Sequence, residues 1–538
     1  MEVTHKKVGI IEKIGYALGD GAANIAWRAV ATFLFIFYTD VFGLDPATVG
    51  MIMLIARFSD GVSDILMGVI GDRTKSKYGH FRPWILWTAI PLAISLSLLF
   101  TTPGFGVTGK IIYAYVTYIL FTLVYTANNI PYGALMAVIT PDNKERTTFG
   151  SFRMVGAFAG GMLVQGALLF LVSFFGNVNP DISIAKTGDK QYYLEVSTPK
   201  DVANVNIKTE KGVATFQWAQ KNCDSVMEQS VTTTKSFSMT ANEKYCFNLK
   251  GEPTLSASQI VIVDQRNGYS KAIYSLSVFL AIFMILTFLS TKERVQPPAE
   301  QKTNLWLDFK DLIANKPWVV LLIVGLLFNV YNNIKQGIVV VYFTHYVNQQ
   351  LMAGTYLVII MLASIGGAMA TAPLGKLLGK RNLFIYALIF SALVNSLLIL
   401  CGPGDLLAVF TLGAISEFAA AIFPTLFFAM LGDAADYSEY KNGRRATGLV
   451  YSAGSFATKF GGGIAGAIIG FVLGSYGYNG HDAQAIQGAI PGITMLMSWI
   501  PAVIAVLAAV VMIIYPLSQS KLDLITHELN ERRENSAP

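Results

Sequence analysis

Twelve stretches of about twenty mostly apolar residues divide this chain, and a stretch of that length crosses the hydrocarbon core of a bilayer as a helix. They lie near 13–38, 47–70, 83–101, 110–139, 151–175 and 270–290, then, after a polar gap, near 317–344, 353–376, 383–401, 406–431, 447–474 and 487–515. A soluble chain of 538 residues would need charged surfaces to cover its cores, yet only 14% of the residues are charged and 53% are hydrophobic; soluble proteins carry about 25% charge. The pattern predicts an all-α membrane protein of twelve transmembrane helices in two six-helix bundles. It excludes a soluble enzyme, a nucleic-acid binder and a disordered chain. The 48 glycines suit close helix–helix approach.

The formal charge of +6 concentrates in alternate loops. One set holds Arg73, Lys75, Lys77 and Arg82, then Lys144 and Arg146, then Lys292, Arg294, Lys302, Lys310 and Lys316. It continues with Lys376, Lys380 and Arg381, and with Lys441, Arg444 and Arg445; the opposite short loops hold little besides Lys110. The positive-inside rule assigns the basic loops and both termini to the cytoplasm. The start of the chain runs from a charged stretch straight into the first span, without a cleavage pattern.

The division expected is 1–175 for helices 1–5, 176–269 for an insertion, 270–291 for helix 6, 292–316 for a linker, 317–516 for helices 7–12 and 517–538 for a tail. The insertion is polar, with strand-like runs such as Ala214–Trp218 and Ile260–Val263, which predicts a small β-rich extracytoplasmic domain. Cys223 and Cys246 both fall in it, in an oxidising compartment, and are candidates to pair. Cys401 stands alone at a membrane edge. Gly71-Asp-Arg-Thr-Lys follows the second span, and Gly375-Lys-Leu-Leu-Gly-Lys-Arg follows the eighth, the same place in the second half. Two related halves with a site between them are a transporter architecture.

Ionisable groups inside spans are costly and therefore mark function. In the second span Asp60 and Asp64 share a helix face, with Arg57 one turn earlier. Two carboxylates and the Ser63 hydroxyl offer hard oxygen ligands to a small cation such as Na⁺, or the carboxylates could share a proton. The plainer reading, Arg57 neutralising an aspartate, accounts for one carboxylate of the two. Thr126, Asn128 and Asn129 precede Pro131 in the fourth span, and Thr126 could add a cation oxygen. Asn24, Trp27 and Arg28 fall on one face of the first span, where an aromatic ring beside amide and guanidinium groups suits a sugar. Arg153, Lys335 and Lys459 are further bases at depth, and Glu417 is a candidate partner for one of the lysines.

Several segments match a known group in order and on the expected spans. They are Tyr38–Leu44, Ala56–Asp64, Gly71–Thr74 through Phe81–Trp84, Asn129–Tyr132, Arg146–Arg153 and Asp433–Lys441. Through them nearly the whole chain resembles the glycoside–pentoside–hexuronide:cation symporter family of the major facilitator superfamily, the melibiose permease-like group. The resemblance implies sugar import driven by Na⁺ or H⁺ through alternating access. It implies cation-binding roles for Asp60, Asp64, Ser63 and Thr126, sugar-binding roles for Asn24, Asn129 and Arg153, and a coupling role for Lys459. Arg57 joins Lys459 as a coupling residue, and Trp27 and Arg28 join the sugar-binding set, on their positions. The family's two sugar-binding aspartates fall on Asn24 and Asn129, its cation-site asparagine on Ser63 and its stacking tryptophan on Gly133. These departures turn the expectation away from galactosides like melibiose and toward either a neutral glycoside or an acidic sugar. The insertion has no counterpart in the usual pattern of that group.

The expected protein is therefore a symporter for a glycoside, oligosaccharide or uronide, acting as a monomer in a bacterial inner membrane, with no cofactor and no nucleic-acid partner. The insertion's lack of an N-x-S/T sequon agrees with a bacterial source. Two other readings share these residues: a lysolipid symporter of the same fold, and a transporter-like sensor that binds a ligand on the insertion. His5, His80, His345, His481 and His527 are dispersed, and no nucleophile motif appears, which speaks against an enzyme.

Overall fold

A computed structural model describes residues 8–140, 143–188, 191–199, 202–209, 215–220, 230–231, 237–239, 242, 244–250, 260–294, 312–442, 447–518, and 521–531 except 523, 526 and 530. These residues form twelve long helices. The first six are α1 (Ile10–Val41), α2 (Pro46–Arg73), α3 (Arg82–Leu99), α4 (Val107–Ile139), α5 (Asn143–Gly176) and α6 (Gln265–Ser290). The second six are α7 (Lys316–Tyr346), α8 (Gln350–Leu378), α9 (Lys380–Leu400), α10 (Leu406–Lys441), α11 (Thr447–Ser475) and α12, in two pieces (Ala483–Met497 and Trp499–Ile513). Among the described residues eleven are long and apolar enough to cross a membrane; α2 is the helix that carries Arg57, Asp60, Asp64, Asp72 and Arg73.

Local chemistry sets the boundaries. Asp45, Asp264, Asn315 and Asp482 accept backbone N–H bonds at the first turns of α2, α6, α7 and α12, which satisfies donors a helix start leaves open. Helix α10 breaks at Ala421, three residues before Pro424, and α12 at Ser498, three before Pro501, because proline clashes with the preceding turn. Helices α1 and α7 both end in a π turn, Phe37–Val41 and Tyr342–Tyr346. These are matching places in the two halves, a second trace of the internal repeat.

The helix ends define two faces. The insertion face carries the chain between α5 and α6, and the linker face carries the chain between α6 and α7. Two sheets rise from the insertion face: β1 (Asp181–Gly188), β2 (Gln191–Ser197), β7 (Lys244–Lys250), β4 (Thr215–Gln220) and β5 (Ser230–Val231) in that order, and β6 (Phe237–Met239), β3 (Val202–Thr209) and β8 (Ile260–Asp264). All their pairings are antiparallel, and Cys246 on β7 lies opposite Glu195 and Ala219. Cys223 lies outside the described residues, so the expected pairing with Cys246 has no described geometry. The base of the insertion is pinched: Asn177 bridges Val263, and a side chain at Gly176 would meet the Asp264 carbonyl at 2.6 Å.

Within each bundle the helices approach closely. A Cβ at Gly156 or Gly160 of α5 would run into the backbone of α1 at Ala17 or Gly21. The bundles meet through α2 against α11, where a Cβ at Gly50 would lie 2.9 Å from the Gly466 carbonyl, and through α5 against α8, where Gly354 faces Gln165 and Gly166. One apolar core runs across both bundles toward the insertion face, through Phe33, Phe37 and Leu168 to Phe343 and Tyr356. Toward the linker face the second bundle has its own core, around Phe328, Phe423 and Phe427. The bundles are thus sealed together at the insertion face.

At the linker face the start of the interbundle chain straps the first bundle. Glu293 accepts backbone N–H bonds from His80, Phe81 and Arg82, each at 2.8 Å, at the first turn of α3. Gly79 beside it has φ +108°, and a Cβ there would clash with the Glu293 carboxyl. Arg294 grips Glu12 of α1 at 2.8 Å through both terminal nitrogens, and this bond raises the Arg294 pKa above its ordinary value. Glu293→Ala strips the α3 terminus of three charge-assisted bonds, and we expect about 2 kcal/mol of destabilisation. A fall in the thermal unfolding midpoint of the detergent-purified protein checks this; an unchanged midpoint would show the strap to be idle.

Candidate functional site

Helix α2 carries its charges toward the interior because every other direction offers only lipid or apolar neighbours. Asp60 is 2% exposed and bonded to Arg57, Nη1 to Oδ2, at 2.9 Å. The Arg57 guanidinium lies over the Trp27 ring, 4.4 Å from its centroid. Arg57 therefore neutralises one carboxylate and covers the ring that the sequence offered to a sugar.

Asp64 is held from the other bundle. Lys459 of α11 places Nζ 2.6 Å from both Oδ1 and Oδ2. Thr126 of α4 donates to Asp64 Oδ1 at 3.0 Å, and Ser63 donates to the Asp60 carbonyl at 3.1 Å with Thr126 Oγ1 3.5 Å away. Carboxylate, hydroxyl and carbonyl oxygens thus converge where the Lys459 ammonium sits. That is the donor set a hard monovalent cation requires, and an ammonium is a fair stand-in for its charge. Both aspartates are paired with a base, so a cation reaching Asp64 competes directly with Lys459. Asn128 turns away and donates to Thr88 at 2.8 Å, joining α4 to α3.

A cavity of about 240 Å³ lies between the bundles, lined from α1 and α5 on one side and from α7, α8 and α10 on the other. Arg28, Phe158, Asn332, Gln336, Met361 and Glu417 are among its walls. Arg28 donates to Gln336 Oε1 across the bundle interface at 2.6 Å. Glu417 does find a lysine: Lys335 lies 3.1 Å away, and Lys335 is also bonded to Tyr331 and Ser416. The other Glu417 oxygen accepts from Ser364 at 3.1 Å.

The remaining sequence candidates scatter around this centre. Asn24 donates to its own helix at the Asp20 carbonyl, 2.9 Å. Arg153 pairs with Asp20 at 3.3 Å and lies over the Tyr132 ring. Trp27 and Arg28 diverge, one toward Arg57 and Tyr125 and the other toward Gln336 and the cavity. Asn129 is half-buried, one residue from the α3-bound Asn128. A Cβ at Gly133 would meet nothing within 4 Å, so open space lies where the resemblance places a stacking tryptophan. Sequence reasoning missed Asp20, although an acid in the first span was a signal, and it missed Gln336.

It also missed a contact at the insertion face. Asp40, at the end of α1, accepts from the Tyr478 hydroxyl at 2.7 Å and the Thr39 hydroxyl at 2.6 Å, and lies 2.6 Å from His345 Nε2 at the end of α7. All four side chains are buried. Burial lowers the nearby His481 pKa, with Asp40 opposing and Lys110 adding to the shift. The sequence signal was the pair Phe37-Tyr-Thr-Asp and Tyr342-Phe-Thr-His.

The comparisons with known proteins bear on the family and the fold. A family model described as MFS/sugar transport protein matches residues 15–198 and 248–519, leaving out the middle of the insertion. The isoprimeverose transporter of Lactiplantibacillus pentosus is 28% identical over 539 residues, covering 99% of this chain and 95% of that protein. The inner membrane symporter YicJ of Escherichia coli (strain K12) is 28% identical over 533 residues, covering 98% and 95%. Among solved structures, a bacterial homologue of the human lysosomal transporter Spinster, inward-facing and unoccupied, superposes with a TM-score of 0.60 at 12% identity, over 95% of this chain and 98% of that one. That last likeness is one of fold.

Proposed function

This chain belongs to the MFS/sugar transport protein family, and from that premise we propose that it imports a sugar by symport with Na⁺ or H⁺. The observation that carries the reading is the Lys459–Asp64 pair, which joins the two bundles at the oxygen-rich pocket of α2 and α4. A cation entering among Asp60, Asp64, Ser63 and Thr126 frees Lys459 from Asp64. The freed ammonium is then available to the substrate. Each ligand thereby changes the other's affinity, which is all that coupling requires. Arg57 supplies a counter-charge to Asp60 at 2.9 Å. Arg28 lines the cavity, and Arg153, tied to Asp20, completes the proposed sugar-binding set with Asn24, Trp27 and Asn129. Isoprimeverose, named for one relative, supports a glycoside as cargo.

The protein is an integral membrane protein. In the proposed reading it sits in a bacterial inner membrane, as named for YicJ, with the basic linker face and both termini in the cytoplasm and the insertion outside. The structure then corresponds to a carrier closed to the outside. One chain holds the whole site, so a monomer suffices.

The test is uptake into proteoliposomes, with labelled neutral glycosides and uronides and with Na⁺ and H⁺ gradients imposed separately. Accumulation above equilibrium under one gradient is expected, with Asp60→Asn losing it. Correctly folded protein that accumulates no sugar under either gradient would overturn the reading.

A further inference from the structure

The charges of the central site do not cancel. Between the two faces five bases, Arg28, Arg57, Arg153, Lys335 and Lys459, stand against four carboxylates, Asp20, Asp60, Asp64 and Glu417. Four pairs form: Arg57–Asp60, Arg153–Asp20, Lys335–Glu417 and Lys459–Asp64. Arg28 is left over. Among the described residues no carboxylate lies within ion-pair distance of it, and its described hydrogen-bond partner is the neutral amide of Gln336. Its Nε is buried without a partner, and so is Oδ1 of Asn332 in the same cavity. Glu417 is the carboxylate whose field Arg28 feels most, but both Glu417 oxygens are committed, one to Lys335 and one to Ser364. Gly161 of α5 lies beside it: a Cβ there would meet Met361 at 2.6 Å and stand in ordinary contact with Arg28 Nε at 3.6 Å.

A half-buried guanidinium without a counter-charge is costly, and here it stands at a cavity wall with a neutral amide as its described partner. We infer that the cargo brings the missing charge: the substrate is a sugar carrying one carboxylate, and Arg28 is the residue that reads it. The carboxylate takes the guanidinium fork in place of Gln336, with Nη1 and Nη2 supplying the two bonds of a bidentate contact. The freed Gln336 amide and the Asn332 oxygen then turn to sugar hydroxyls. A neutral glycoside could also accept bonds from Arg28 but would leave its charge uncompensated. The inference rests on the symport reading above and narrows its cargo to uronides.

The test is equilibrium binding to the purified full chain, with two matched pairs as probes: methyl β-glucuronide against methyl β-glucoside, and glucuronosyl-xylose against xylobiose. The acid member of a pair is expected to bind at least about tenfold more tightly, as a charge-assisted bidentate bond warrants. In Arg28→Gln that ratio falls to about one. In Gln336→Glu, which supplies an internal carboxylate to Arg28, it falls likewise, and this variant decides the matter if the first does not fold. Equal or neutral-favouring binding by the unaltered protein overturns the inference, as does a ratio that survives both substitutions. Neutral members that bind and accumulate under a cation gradient, with the acids excluded, leave symport standing and sink only the uronide cargo. Binding and accumulation of no probe at all sinks both.

Discussion

Asp64→Asn brings gradient-driven accumulation down to equilibration, with an inside-to-outside substrate ratio near one under either cation gradient. The reason is geometric. Asp64 is where the Thr126 hydroxyl from α4 and the Lys459 ammonium from the opposite bundle meet. An amide removes the charge for which cation and ammonium compete, so neither occupant depends on the other. It also strands Lys459 in a partly buried pocket, at about 2–4 kcal/mol for breaking such a pair from one side. Lys459→Gln is expected to fail differently, keeping cation binding at Asp60 and Asp64 while losing its link to the sugar. Measuring cation-dependent sugar affinity beside uptake separates the two: in Asp64→Asn the cation no longer shifts sugar affinity, and in Lys459→Gln the cation still protects the protein against thermal unfolding. Accumulation by Asp64→Asn at the unaltered level would remove this carboxylate from the mechanism.

The second large effect is conformational. Asp40 gathers Thr39, His345 and Tyr478 at the insertion face, and two of these partners belong to the opposite bundle. Asp40→Asn leaves an ionisable His345 without its carboxylate and weakens the closure by about 3 kcal/mol, the low end for a buried pair. A shift of that size moves a two-state equilibrium by roughly a hundredfold. Spin labels at Phe105 and Gly404, both exposed at this face on opposite bundles, report it in a chain whose own cysteines are replaced by serine. The long-distance population grows in Asp40→Asn. An unchanged distance distribution would mean that the apolar core around Phe37 and Phe343 suffices to hold the face shut.

The sequence shows much of this fold, because twelve apolar stretches and alternating loop charge are long-range signals that survive local error. Asp60, Asp64 and Arg57 were visible because charge inside a span is costly, and the plain reading of Arg57 as a counter-charge accounts for one aspartate of the two. What stayed hidden depends on direction rather than residue type. Helical periodicity puts Trp27 and Arg28 on one broad face, yet one residue step is about 100° around a helix, enough to send one to Arg57 and the other across the bundle interface. Arg57 could have neutralised either aspartate, and only the approach of α11 shows that Lys459 claims the second. The π turns at Phe37–Val41 and Tyr342–Tyr346 leave no mark in composition, although they aim Asp40 and His345 at each other. Asp20 was legible as an intramembrane acid, but its partner Arg153 sits 133 residues away on a helix whose packing glycines alone hint at the contact.

The pinched base of the insertion has a consequence for experiment. Both its ends belong to α5 and α6, helices of one bundle, and the Asn177–Val263 bridge ties them together before the sheets begin. Whatever stands on that base travels with the first bundle and spans no moving joint. It is a natural handle: a binder raised against the sheets adds a rigid fiducial for imaging this small carrier in detergent, and a tether attached there pulls on one bundle alone.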